Sequence, residues 1–243
     1  MTRSPYELST SPDVLARLHP RLRTYFGPIP PGHVGRGEGV FDVVGTPRRW
    51  LWPLLGWFAR DAVMFPVWER DVPFSAENRP ARVRRGVRSG LEERIAVRAH
   101  RTFRFRSGAR TMVDAITAVP EGLVDHLGRR GRVSALLRTE VDGTGPDAGA
   151  LRLVSTRVTF RALGREWRLQ AFASPRVNRA RRLARRAPRN AGALPLSGAR
   201  TERFDDEADV QRVSLVLSAP VIGTLYQYEG AFRYEIAPDT ERG

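Results

Sequence analysis

The sequence predicts a mainly β (α+β) fold: a curved antiparallel sheet or open barrel of about nine to ten strands packed around one tryptophan-rich helix. Three observations predict it. Apolar and polar residues alternate over most of the chain beyond that helix, as half-buried strands require. Turn-forming clusters such as Asp142–Gly149 (DGTGPDAG) punctuate the alternation. Four of the five tryptophans, Trp50, Trp52, Trp57 and Trp68, fall within Thr46–Trp68 (TPRRWLWPLLGWFARDAVMFPVW).

Pro12–Tyr25 reads as a short N-terminal helix interrupted near Pro20. Gly27–Gly39 (GPIPPGHVGRGEG) reads as a Pro/Gly loop. Its Gly35-x-Gly37-x-Gly39 is only superficially a nucleotide-binding fingerprint, because such a motif follows a strand and opens a helix. This one precedes the strand-like Val40–Val44. Next, Thr46 suits an N-cap and Pro47 a first helical position, so a helix spans about Pro47–Val63, kinked or begun at Pro53. The apolar run Trp50–Ala59 ends at Arg60 and Asp61, short of the roughly 20 residues that cross a bilayer.

Val67–Glu77 reads as a strand, and the Arg-rich Arg79–Arg94 as a loop or insertion. Val97, Ala99, Phe103 and Phe105 then share one parity, with Arg98, His100, Arg104 and Arg106 on the other. Ser107-Gly108 turns the chain into Thr111–Val119, and Leu123–Gly131 forms a further turn. Val133, Ala135, Leu137, Thr139 and Val141 alternate inward, and Leu151–Phe160 and Trp167–Phe172 continue the meander. Over Ser174–Leu194 a thin stripe of Val177, Ala180, Ala184 and Ala187 marks a basic helical insertion. Near the C-terminus Val213, Leu215 and Leu217 share a face, as do Tyr226, Tyr228, Phe232, Tyr234 and Ile236, with Gly230 in phase.

Length and a hydrophobic content of 41% suit one domain over residues 1–243, carrying Arg-rich segments at 79–98 and 174–199. The absence of cysteine excludes disulfides, thiol nucleophiles and thiolate metal sites. All 41 basic residues are arginine, which excludes a P-loop lysine, a Schiff base and a Ser–Lys dyad. The net charge of +15 is local: Arg79–Arg110 contributes +9 and Ser174–Arg200 +8, leaving the rest at −2. That distribution predicts no specific nucleic-acid partner; it suggests weak contact of Arg176–Arg189 with an anionic membrane or acidic partner, with peripheral membrane or nucleic-acid association through this Arg-rich helix as an alternative function. The N-terminus has no apolar signal region, so a soluble cytoplasmic protein is expected.

The stretches HPRLRTYFGPIPPGHVGRGEGVFDVVGTPRRWLWPL from His19, PVWERDVPF from Pro66, RTFRFRSGARTMVDAI from Arg101, GLVDHLGRRGRV from Gly122 and APVIGTLYQYEGAFRYEI from Ala219 resemble the bacterial family catalogued as domain of unknown function 4166. Its members occur alone or behind NAD(P)-binding saccharopine-dehydrogenase-like domains. The resemblance therefore implies the stand-alone form here, with an enzyme or accessory role in an NAD(P)-linked redox pathway as one reading.

No catalytic motif survives inspection. His19, His33, His100 and His126 lack metal-ligand spacing, so neither metal nor cofactor is expected. Gly86-Val87-Arg88-Ser89-Gly90 places serine one position late for a nucleophile elbow. Asp125 and His126, with Arg104 and neighbours Asp114 or His100, are the only acid/base candidates; Asp125 reads more simply as a turn residue before Gly128. Asp205, Asp206, Glu207 and Asp209 lack calcium-loop spacing. The leading expectation is a binding module for a hydrophobic or lipid-like molecule. Its apolar pocket would be lined by Trp50, Trp52, Leu54, Trp57, Phe58, Phe65, Phe103, Phe105, Tyr226, Tyr228, Phe232 and Tyr234. Glu38, Glu229 and Glu235 are its polar candidates, balanced against an exposed cross-strand role.

Overall fold

The computed structural model describes residues 3–87, 90–142, 147–162, 165–170, 197–219 and 222–240. Among them eleven strands form one antiparallel sheet: β1 (His33–Gly45), β2 (Trp68–Val87), β3 (Gly90–Phe105), β4 (Gly108–Val119), β5 (Gly122–Leu127), β6 (Val133–Val141), β7 (Leu151–Ala162), β8 (Arg165–Gln170), β9 (Ser197–Asp205), β10 (Val210–Ala219) and β11 (Gly223–Pro238). They lie in the order β6-β5-β4-β3-β2-β1-β11-β10-β9-β7-β8, and β6 pairs a second time, with β7. That pairing closes ten strands into a barrel and leaves β8 as an extra strand. The two halves of β7 divide its outer edge: Leu151–Val154 pairs with β9 and Arg157–Ala162 with β8.

Alternation places one row from each of the ten barrel strands inside. The interior is packed with rings: Phe41 lies 4.2 Å from Phe74 and 5.3 Å from Phe103, and Phe74 lies 5.6 Å from Phe232. The expected inward sets of β3, β6, β10 and β11 all hold.

Four expectations need correction. The stretch containing Gly35, Gly37 and Gly39 is strand, not loop. Phe232 and Tyr234 on β11 stand opposite Gly39 and Gly37, and a Cβ on Gly39 would collide with the Ala231 carbonyl, so the glycines are where rings and backbone approach most closely. Most of Arg79–Arg94 forms a long ribbon of β2 and β3, with Arg79 opposite Arg98 and Arg82 donating to Glu93 at 2.8 Å. A ribbon held by backbone hydrogen bonds needs no apolar face, so hydropathy misses it. Residues 122–127 are a strand between β4 and β6, and the turn is confined to residues 128–131.

The fourth correction concerns the tryptophan segment. A single 3₁₀ turn (Arg49–Leu51) leads into a helix of two turns (α4, Trp52–Ala59), so Pro53 marks the true start. The barrel does not wrap around it. Leu51 and Leu55 are buried, while Trp50 and Leu54 are 61% and 53% exposed. Trp57 packs edge-on against Phe160 at 5.3 Å, and Phe65 beyond the helix meets Phe105 at 5.8 Å. The barrel's own side chains already fill its interior, and α4 closes one end.

Three short helices close the other: α1 (Pro5–Ser9), α2 (Pro12–Ala16) and α3 (Pro20–Phe26), each with proline in its first turn. Ser4 caps α1 in a capping box with Glu7, and its hydroxyl donates to the Phe26 carbonyl at 2.7 Å, tying α1 to α3. Tyr25 of α3 meets Tyr234 edge-on at 4.6 Å. No described helix is long and apolar enough to cross a membrane. The basic helix expected over Ser174–Leu194, with the Arg176–Arg189 face, lies outside the described residues, as do residues 171 and 172.

Phe103 is fully buried among four rings, so Phe103→Ala should cost about 3–5 kcal/mol in urea unfolding. Trp50→Ala should change stability by no more than about 0.5 kcal/mol. Similar losses for both would mean that α4 is enclosed after all.

Candidate functional site: a buried polar cluster inside the barrel

The inward row of β3 runs Val97, Ala99, Arg101, Phe103, Phe105, so a guanidinium enters the barrel among apolar neighbours. On β4 the inward row is Met112, Asp114, Ile116, and Asp114 stands diagonally across from Arg101. The two form an ion pair, Asp114 being only 2% exposed. On β9 Arg200 and Glu202 are successive inward residues and pair with each other. Glu202 also accepts from the Gln211 amide on β10. Asp125 of β5 lies opposite Ile116 and Ala135 and turns into the same space. Tyr6 of α1 and Tyr25 of α3 cover the cluster from the closed end, with Asn78 of β2 beside the Tyr25 and Tyr234 hydroxyls.

The electrostatics are finely balanced. Burial pushes the Arg101 guanidinium down, but the Asp114 carboxylate, together with smaller contributions from Tyr25 and Tyr228, makes the net shift upward. Arg200 is raised in the same way, burial being overcome by Glu202 together with Tyr228, Tyr25 and Tyr6. Asp125 has no such partner. Burial, then the negative charge of Asp114, push its carboxyl up to about 8, against the pull of Arg101 and Arg200. Near neutral pH Asp125 therefore keeps its proton, and the two remaining pairs sum to zero charge. Burial also pushes the Tyr6, Tyr25 and Tyr228 hydroxyls up, keeping them as neutral donors.

Three polar atoms of the cluster's ionisable groups, Asp125 Oδ1, Arg200 Nε and Glu202 Oε1, are shut off from solvent without a hydrogen bond among the described residues; of these Glu202 Oε1 lies in the ion pair with Arg200. Between Tyr6, Tyr25 and Phe26 on one side and Asn78, Arg101 and Asp114 on the other lies a cavity of about 20 Å³, room for one water. The arrangement offers a donor at Arg200 and a protonated carboxyl at Asp125 to a neutral hydrogen-bonding group.

The sequence-predicted residues scatter around this cluster. Phe103, Phe105, Tyr226, Tyr228 and Phe232 are buried inside, and Tyr234 is half-buried beside them. Trp52, Trp57, Phe58 and Phe65 close the far end; Trp52 donates its indole N–H to the Thr46 carbonyl at 3.3 Å. Glu38, Glu229 and Glu235 are exposed on the outer face, with Glu38 opposite Arg233 and Glu235 opposite Arg36 in register. Asp125, His126 and Arg104 do not converge. His126 turns outward, its Nε2 2.9 Å from the Thr117 hydroxyl, and Arg104 is exposed. Asp125 is an inward strand residue and not the turn residue expected. Arg101, Arg200, Glu202 and Gln211 were missed as site residues, and Asp114 was named only as a possible neighbour of Asp125 and His126. The signal was present, since Arg101 has the same parity as Ala99 and Phe103, and Asp114 that of Ile116.

The pH dependence of folding reports on Asp125. An unfolded aspartate loses its proton near pH 3.8, so between there and about pH 8 folding takes up a proton at this carboxyl. Its contribution is complete below that range and is lost as pH rises through it. Asp125→Asn keeps the shape without titrating, so its Tm relative to the parent should climb from about pH 4 to about pH 8 and then level off. A constant difference would place Asp125 at an ordinary pKa.

A family model described as "Domain of unknown function (DUF4166)" matches residues 18–232, and the chain belongs to that family. Comparison with curated proteins and with solved structures gave no match.

Proposed function

We propose that this member of the DUF4166 family is a small-molecule-binding barrel. Its ligand would be a largely apolar, uncharged compound bearing a carbonyl or hydroxyl group. The observation that carries this reading is the pair of unpartnered buried atoms, Asp125 Oδ1 and Arg200 Nε, within a cluster whose ion pairs already balance. A buried hydrogen-bonding group without a partner costs about 1–3 kcal/mol, which a ligand group satisfying both would recover. Charge balance sets the class: a fatty-acid carboxylate would bring an unpaired charge into the interior, whereas a ketone or alcohol brings none. The rings of Tyr25, Phe232 and Tyr228 provide the apolar wall.

The cavity of about 20 Å³ is too small for such a compound. Tyr6 of α1 lines that cavity, which Asp125 and Arg200 do not, and it precedes residues 18–232, the stretch the family model matches. Binding therefore requires that Tyr6 give way.

Thermal unfolding with neutral terpenoid ketones and alcohols, and with palmitate for comparison, tests the reading. The neutral compounds should raise the Tm, more so in Tyr6→Ala, where removing the ring widens the chamber; palmitate should do less. No shift in either protein with any neutral compound would overturn it.

A further inference from the structure

The outer face of the same three strands carries a second concave region that the interior reading does not use. A groove of about 590 Å³ runs over β3, β4 and β5, a volume that suits a small-molecule ligand. Strand register builds it. Arg98, Ala115 and His126 form one row across the three strands, and His100 and Val113 begin the next, continued by Gly128, whose N–H donates to the Val113 carbonyl at 2.7 Å. Between Arg98 and His126 the small Ala115 leaves the floor hollow, and Val113 makes it apolar.

The far rim is the turn Gly128–Gly131, where Arg129 and Arg130 follow one another. The turn is anchored from behind: Asp61, beyond α4, accepts from Arg129 N–H at 2.9 Å through its carbonyl and from Arg130 N–H at 3.1 Å through Oδ1. Gly128 takes φ +83°, and a Cβ there would crowd the Asp61 carbonyl, so the turn is glycine's. A strand thus presents Arg98 and His100 across the groove from a fixed turn presenting Arg129 and Arg130.

No ion pair engages Arg98, Arg129 or Arg130 among the described residues, whereas Arg82, Arg161 and Arg212 each pair with a carboxylate. The one carboxylate residue among the groove's lining residues, Asp114, has its side chain committed to Arg101 on the inner face. Three permanent cations and two imidazoles around the Val113–Ala115 floor are more than one carboxylate needs. They match a multiply charged, multi-oxygen anion, because guanidinium forks pair with phosphoryl oxygens two at a time.

We propose that this groove binds the phosphoryl group of a small phosphomonoester, with Arg98, Arg129 and Arg130 as its ligands and the Val113–Ala115 floor under the ester's organic part. This site is independent of the interior one.

Calorimetric titration of the full chain at low salt with adenosine 5′-monophosphate, inorganic phosphate and adenosine tests it, with phosphatidic-acid vesicles in a parallel co-sedimentation arm. The monophosphate should bind saturably, phosphate more weakly and adenosine not at all. Each of Arg98→Gln, Arg129→Gln and Arg130→Gln should weaken binding roughly tenfold, and the triple variant should abolish it. These side chains hold no structural ion pair, so an unchanged circular-dichroism melt confirms that folding is intact. The proposal is overturned if no small phosphate binds, if the triple variant binds as the parent does, or if only vesicles are retained.

Discussion

The pairing of β6 with β7 closes the sheet on itself, and closure gives ten strands one face each that water does not reach. Every inward position must then be apolar, paired or hydrogen-bonded, whatever its residue type. Most are apolar, and their rings form a column from Phe65 and Phe105 at the α4 end through Phe103, Phe41 and Phe74 to Phe232 and Tyr25 under α3. The same constraint explains why α4 lies across the end of the barrel with Trp50 in solvent: the volume it would need is occupied.

The polar cluster at the N-terminal-helix end is the costly exception. Buried ion pairs of this kind are seldom better for stability than apolar residues of the same size, because desolvation offsets most of their attraction. Arg101–Asp114 and Arg200–Glu202 approach from opposite walls, and Asp125 avoids adding a fifth charge by keeping its proton. A fold selected only for stability has no reason to retain five ionisable groups there, three of them with a buried atom that makes no hydrogen bond among the described residues. That is the physical ground for reading the cluster as a place where something binds.

Strand β5 gives both faces their chemistry. Asp125 points into the barrel and His126, its neighbour, toward the outer groove, so one dipeptide separates a neutral buried chamber from a basic exposed one. The Asp61 segment beyond α4 holds the turn after β5 in place, linking the tryptophan-rich end of the barrel to the rim of the groove.

The inward faces of β3, β6, β10 and β11, the hairpin logic and the break at Pro53 were legible in the residues themselves, because side-chain direction has a period of two and helix starts are chemically local. Arg101 was legible in the same way, by its parity with Ala99 and Phe103. The ribbon of β2 and β3 was not, since backbone hydrogen bonding leaves no hydropathy trace in Arg79–Arg94. Nor was β5, where Asp125 interrupts an inward row of leucines. Closure by β6 and β7, the filling of the interior before α4 could enter, and the meeting of Arg101, Asp125 and Arg200 were decided by tertiary structure alone. Alternation says which way a side chain points, but what it meets depends on strands far away in the chain.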